Sequence, residues 1–89
     1  MIMQKAQIYE IIAAMLQAAS NKDFETFNNL KSAFAHLKDN VAFLPGEFEF
    51  YDNCAYFCET SLQVSPGEYE EHLKNAKYYF KRIKKPQAI

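Results

Sequence analysis

The chain has 89 residues, of which 49% are hydrophobic and 16% aromatic, with only two glycines and three prolines. This composition excludes a disordered or low-complexity chain, and the scarcity of glycine and β-branched residues argues against an all-β fold. The net charge of −1 names no partner by itself. A chain of this length has room for one modest core, so we expect a single helical domain over residues 1–89.

Apolar residues recur at helical spacing in four segments, which predicts an all-α fold: a small four-helix bundle or two stacked helical hairpins. The first predicted helix covers residues 2–19, with Ile8, Ile12 and Met15 on its apolar stripe. Its apolar run, Ile11 to Leu16, is too short to span a membrane. A signal peptide is the alternative, but an early glutamate and a poor cleavage site count against it. We therefore expect a core helix and a cytoplasmic protein.

The second helix is predicted over residues 24–38, after Asp23 as its N-cap. Phe27 and Phe34 lie on its apolar stripe, whereas His36 projects toward solvent. The following connection contains Phe43 and Leu44, so we expect it to pack onto the helices.

The third and fourth helices are predicted over residues 45–62 and 66–84, and both begin with Pro-Gly-Glu. Proline suits the first helical position, where no N–H partner exists. We therefore expect Pro45 and Pro66 to open their helices. Ser65 and Glu68 also match a capping box.

The third helix is predicted to be buried along one face and exposed to solvent along the other. Its inward face has both cysteines, Cys54 and Cys58, among aromatic side chains. Consecutive turns of one helix give poor disulfide geometry, so we expect two buried free thiols and a reducing compartment.

Charge is divided unevenly along the second half of the chain. Residues 39–71 contain eight acidic residues and no Lys or Arg, and residues 72–89 contain six basic residues and no acid. The acidic segment and the basic segment could each form a solvated helix surface or a binding surface.

The polar side of the third helix combines aromatic and acidic residues, which is typical of a surface that binds a basic partner. We therefore predict a non-catalytic protein-protein interaction module of the adaptor, inhibitor, immunity or regulatory type, with homodimerisation as a further expectation. The predicted partner-binding residues are Phe48, Asp52, Tyr56 and Glu59. If the 39–45 connection covers Phe48, this surface shrinks to Tyr56.

The alternative is a nucleic-acid-binding protein that uses the basic fourth helix. Lysines there could contact phosphates, and a tyrosine among them could stack on a base. The residues of this basic stripe are Lys74, Lys77, Tyr78, Lys81 and Lys85.

A zinc site or a cysteine nucleophile is a third hypothesis. His36, Cys54, Cys58 and His72 could supply four ligands, but a Cys-x-x-x-Cys spacing on one helix face is unlike a structural zinc site. Acidic surroundings would also raise a thiol pKa. We predict no catalytic residue, no metal and no cofactor.

Overall fold

The computed structural model describes residues 2–83 and shows four helices and no strand in that range. The helices are α1 (Ile2–Ser20), α2 (Phe24–Leu37), α3 (Glu47–Gln63) and α4 (Pro66–Arg82), and a 3-10 turn (Lys38–Asn40) follows α2. This confirms the predicted all-α fold. No helix within the described range is long and apolar enough to cross a membrane.

Helix α1 is the centre of the bundle, because it packs against each of the other three helices. Ile8, Ile12 and Met15 are completely buried along its stripe. Helices α3 and α4 form the most extensive pair, since their short connection makes them antiparallel neighbours. Helix α2 packs on α1 but hardly on α3, and this gap shapes the surface described below.

Two backbone hydrogen bonds to carbonyls at the end of α1 form the turn between α1 and α2. Asp23 N–H donates to the Ala18 carbonyl at 2.9 Å and Lys22 N–H donates to Ala19 at 3.1 Å, with Lys22 in the left-handed region at φ 54°. This is a Schellman motif, in which N–H groups of the turn donate to carbonyls of the last helical turn that have no partner within the helix. Asp23 then caps α2 as predicted, since its carboxylate accepts from Thr26 N–H at 3.2 Å. The Thr26 hydrogen bonds lower the pKa of Asp23.

The connection before α3 packs through Val41, which is buried, and through Phe43. The Phe43 ring lies 5.0 Å from Phe48 and 5.3 Å from Tyr51 between centroids, as expected. Leu44 is 67% exposed, so the same expectation is wrong for it.

Pro45 does not open α3, which corrects the prediction. The Leu44 carbonyl accepts from Glu47 N–H at 2.9 Å, and Gly46 has φ 80° and ψ −12°. Pro45 and Gly46 thus occupy the central positions of a type II turn, and the helix begins two residues later than predicted.

The turn is held by the side chain of Glu47. Its carboxylate accepts from Leu44 N–H at 2.8 Å and pairs with Lys5 at 2.9 Å. Burial alone would raise the pKa of Glu47, but these two contacts lower it below its ordinary value. This end of α3 is therefore joined to α1.

Pro66, by contrast, is the first residue of α4, as predicted. Ser65 occupies the N-cap position, but its side chain makes no capping hydrogen bond, so the predicted capping box is wrong. Instead, the Ser65 carbonyl accepts from Glu68 N–H at 2.9 Å. Residue 84, the predicted end of this helix, lies outside the described residues.

Candidate functional site

The four predicted partner-binding residues lie on α3, but they do not form one exposed surface. Phe48 is half-buried, because its ring packs on Phe43 at 5.0 Å and on Phe34 at 6.3 Å. The connection therefore covers Phe48, the condition under which the exposed surface was expected to shrink. Tyr56 remains 59% exposed and Asp52 is exposed, whereas Glu59 is partly buried.

Asp52, Tyr56 and Glu59 line a groove between α2 and α3, which we call the α2–α3 groove. It exists because these two helices both pack on α1 but hardly on each other. Its volume is about 380 Å³, enough for one or two apolar side chains. Buried apolar residues form its floor: Met15 of α1, and Phe27 and Phe34 of α2.

The two walls of the α2–α3 groove have opposite charge. The charged residues of the α2 wall are Lys31 and, in the 3-10 turn directly after the helix, Lys38. Those of the α3 wall are Asp52 and Glu59. Lys31 and Glu59 form an ion pair that bridges the walls. Lys38 lies 5.8 Å from the centre of the Phe48 ring. Among the described residues Asp52 has no ion-pair partner, so it is the unpaired acid at this rim.

Sequence reasoning missed the α2 wall of this groove. Lys31, Ala35 and Lys38 recur at positions i, i+4 and i+7, which places them on one side of a helix. This spacing could have identified the wall as a polar stripe. It could not have shown that the stripe faces Tyr56, because that depends on how α2 and α3 pack on α1.

The basic stripe of α4 is exposed where the structure describes it. Lys74, Lys77 and Lys81 face solvent, and Lys85 lies outside the described residues. Tyr78 is 51% exposed, but the Arg82 guanidinium lies 4.9 Å from its ring centre and donates to its hydroxyl at 2.7 Å. Arg82 thereby occupies one face of the ring that base stacking would need.

The two cysteines are free and completely buried, as predicted. The hydrogen bond to Cys58, together with burial, raises the pKa of the Cys54 thiol well above its ordinary value. Burial keeps both sulfurs away from solvent, and the raised pKa keeps Cys54 protonated. His72 stacks on Phe57 at 6.1 Å, and His36 is exposed. Over residues 2–83 no three His, Cys, Asp or Glu side chains are grouped so that they could hold a metal ion.

The predicted partner-binding residues that remain accessible in residues 2–83 therefore lie along a groove with an apolar floor and charged walls. A ligand in the groove would contact an apolar floor, one unpaired acid, Asp52, and one exposed aromatic ring, Tyr56. Comparison of the chain with known protein families, with curated proteins and with solved structures found no match.

Proposed function

We propose that this protein is a non-catalytic helical module that binds another protein in the α2–α3 groove. The observation that carries the proposal is the groove itself, an opening of about 380 Å³ over buried Met15, Phe27 and Phe34. A bundle in which two helices leave a gap over a third can accept apolar side chains from a partner helix. Tyr56 at the rim is a residue type that contributes strongly to protein interfaces.

The charges at the rim indicate the chemistry of the partner. Lys31 is already paired with Glu59, and Lys38 lies over the Phe48 ring. Asp52 is exposed and unpaired among the described residues, and Glu49 is exposed one turn earlier. A complementary partner therefore presents an apolar side chain with a basic residue beside it. Burying the apolar side chain contributes about 2 kcal/mol and the ion pair at the rim about 0.5 kcal/mol.

The test compares two groove variants, one on α2 and one on α3, with a control on α2. Ala35→Arg places a long side chain in the groove, and Asp52→Lys reverses the unpaired charge. Ser32→Arg makes a similar change at an exposed position of α2 that does not line the groove. All three positions are exposed, so each variant should keep the helical circular dichroism spectrum of the parent.

The partner is captured from the source cells by cross-linking, produced separately, and titrated by calorimetry. We expect Ala35→Arg and Asp52→Lys each to weaken binding at least about tenfold, while Ser32→Arg leaves it unchanged. Equal affinities for all four proteins would reject the groove as the binding site.

Nucleic-acid binding is the second candidate, because Lys74, Lys77 and Lys81 are all exposed along one side of α4. Such binding would weaken steeply with salt, since each phosphate contact releases a counterion. Fluorescence anisotropy with single-stranded RNA at low and moderate salt measures this. A Lys77→Glu variant that binds as well as the parent would reject this candidate.

We also propose that the protein works in a reducing, cytoplasmic setting. Both cysteines are free, and their i, i+4 spacing on α3 does not suit a disulfide. Buried thiols of this kind persist where glutathione and thioredoxin keep them reduced. Fractionation of the source cells, with detection of the tagged chain, tests the compartment directly.

A further inference from the structure

Two of the most exposed aromatic side chains lie on the adjacent helices α3 and α4. We call the surface that contains them and the exposed residues Glu71 and Arg82 the outer face. Tyr56 of α3 is 59% exposed and Tyr78 of α4 is 51% exposed. Phe57 and Tyr79, their neighbours in sequence, stack across the two helices with 5.7 Å between ring centroids and an interplanar angle of 7°. An aromatic strip therefore runs from one helix to the other.

The strip crosses the middle of α4. The Phe57 ring stacks on His72 at 6.1 Å as well as on Tyr79 at 5.7 Å. These two partners are seven residues apart on α4, so Phe57 lies level with the residues midway between them. Asn75 is at that level and is half-buried. The contact of Phe57 with α4 is thus near the middle of that helix.

A row of side chains along α4 gives the outer face a definite charge order. Glu71, Asn75, Tyr78 and Arg82 recur at positions i, i+4, i+7 and i+11, the spacing of a helix-helix contact. Three of them are exposed and Asn75 is half-buried. The row begins with an acid and ends with a base, and its middle is an amide and an aromatic ring.

This order is complementary to itself when one copy is reversed. In an antiparallel pair of α4 helices, Glu71 of one copy meets Arg82 of the other, and Asn75 meets Tyr78. A two-fold axis repeats each contact, so four residues supply two ion pairs around a central aromatic cluster. The net charge of −1 gives little repulsion between copies.

We propose that two copies of this chain associate as a symmetric antiparallel dimer through the outer face. The partner at this face is a second copy of the chain, because the acid and the base that pair both lie on α4. A two-fold axis therefore forms the Glu71–Arg82 pair twice. Tyr56, Phe57 and Tyr79 lie at the centre of the contact beside Tyr78. The dimer contact shares Tyr56 with the α2–α3 groove, but the charged residues that define it, Glu71 and Arg82, lie on α4, and no residue of α4 lines that groove.

The test is sedimentation velocity of the purified full chain from micromolar to millimolar concentration. We expect a reversible monomer–dimer equilibrium. Glu71→Arg and Arg82→Glu each place like charges opposite one another twice, so each should raise the dissociation constant about tenfold or more. The double variant Glu71→Arg/Arg82→Glu restores both pairs in reverse order and should return the constant to within about threefold of the parent.

A matched control lies one residue away on the same helix. Glu70 and Lys81 are also exposed and also eleven residues apart, but they point to a different side of α4. Glu70→Arg and Lys81→Glu make the same charge changes and should leave the dissociation constant unchanged. Circular dichroism of each variant confirms that the helices are intact.

Three outcomes would overturn the proposal. The first is a monomer at every concentration. The second is a dimer that responds equally to the outer-face variants and to the controls. The third is a double variant that dissociates as readily as the single ones. The outer-face variants are on α4, which does not line the α2–α3 groove, so each of these results leaves the proposed partner binding standing. Loss of partner binding in Ala35→Arg or Asp52→Lys likewise leaves the dimer standing, because neither residue belongs to the α4 row.

Discussion

The Tyr69 hydroxyl donates a hydrogen bond to the Ala19 carbonyl oxygen and so joins the start of α4 to the end of α1. This carbonyl belongs to the last turn of α1, where the helix provides no N–H to bind it. It also accepts from Lys22 N–H at 3.1 Å, and the Lys22 ammonium lies 4.5 Å from the centre of the Tyr69 ring. Residues that are far apart in the chain therefore meet in one buried polar contact.

Tyr69→Phe should lower the free energy of unfolding by about 1 kcal/mol, because one buried hydrogen bond is lost while Ala19 keeps its bond from Lys22. Urea denaturation followed by circular dichroism measures this. Tyr56→Phe is the matched control, since that hydroxyl is on an exposed side chain, and it should change the free energy by less than about 0.5 kcal/mol. Equal losses in the two variants would contradict the role given to Tyr69.

The two Pro-Gly-Glu segments should respond oppositely to the same substitution. Gly46 has φ 80°, so Gly46→Ala should destabilise the protein by about 1 kcal/mol. Gly67 lies within α4, so Gly67→Ala should stabilise it by about 0.5–1 kcal/mol. An added Cβ meets no atom within 4 Å at either position, so backbone conformation alone decides the sign. Thermal unfolding of both variants checks this, and shifts of the same sign would contradict it.

Tyr51→Phe should be neutral or stabilising by up to about 1 kcal/mol at neutral pH. The Tyr51 ring is completely buried, and its hydroxyl has no hydrogen-bond partner among the described residues. Removing a buried hydroxyl without a partner also removes its desolvation cost. A loss of more than about 1 kcal/mol in urea denaturation would show that the hydroxyl is bound after all.

Tyr51 should also make the protein sensitive to alkaline pH. Burial, together with the charge of Glu47, raises the pKa of Tyr51 from 10.0 to about 12. Between these values the unfolded tyrosine has lost its proton and the native one has kept it. The native state then binds more protons, so the free energy of unfolding falls as pH rises from 10 to 12. Cys54, whose pKa is also raised, adds a decline that begins near its ordinary value of 9.0.

The Tyr51 contribution is isolated by comparing the parent with Tyr51→Phe across this pH range. We expect the free energy of unfolding of the parent to fall more steeply between pH 10 and 12. Parallel pH profiles would show that Tyr51 ionises equally easily in both states.

Cys54 and Cys58 should react with Ellman's reagent only as fast as the protein unfolds, because neither side chain is exposed. Ala35→Cys, on the exposed wall of α2, provides a thiol that should react at once in the native state. Absorbance at increasing urea concentration follows both reactions. Rapid modification of Cys54 and Cys58 without urea would contradict the burial of this face of α3.

Local chemistry predicted several features of single helices correctly, although the capping box at Ser65 was wrong. Asp23 was predicted as an N-cap because the cap bonds a neighbour within one turn, and Phe27 was predicted as a core residue from its place on the apolar stripe of its helix. Pro45 shows the limit. Its motif is the same as that of Pro66, yet it forms a turn, because Glu47 binds Leu44 and Lys5 there. The contact with Lys5 comes from α1, so the sequence around Pro45 could not predict it.

The candidate site divides in the same way. Asp52 and Tyr56 could be predicted to lie on the polar side of α3, since helical spacing determines which side chains share a side. Phe48 could not be assigned from spacing, because its burial depends on whether Phe43 covers it. Lys31 was missed altogether, since its relation to Glu59 arises only when both helices pack on α1.

The amino-acid sequence by itself determined the helices, their inward stripes and the two buried thiols. It did so because helical periodicity and the burial of apolar side chains act over a few residues. Only the tertiary structure decided that α2 and α3 stand apart over α1 and that Arg82 lies on Tyr78 within the outer face. Relations between helices depend on how side chains from distant segments fit together, and that fit is a property of the packed bundle rather than of any one stretch of the chain.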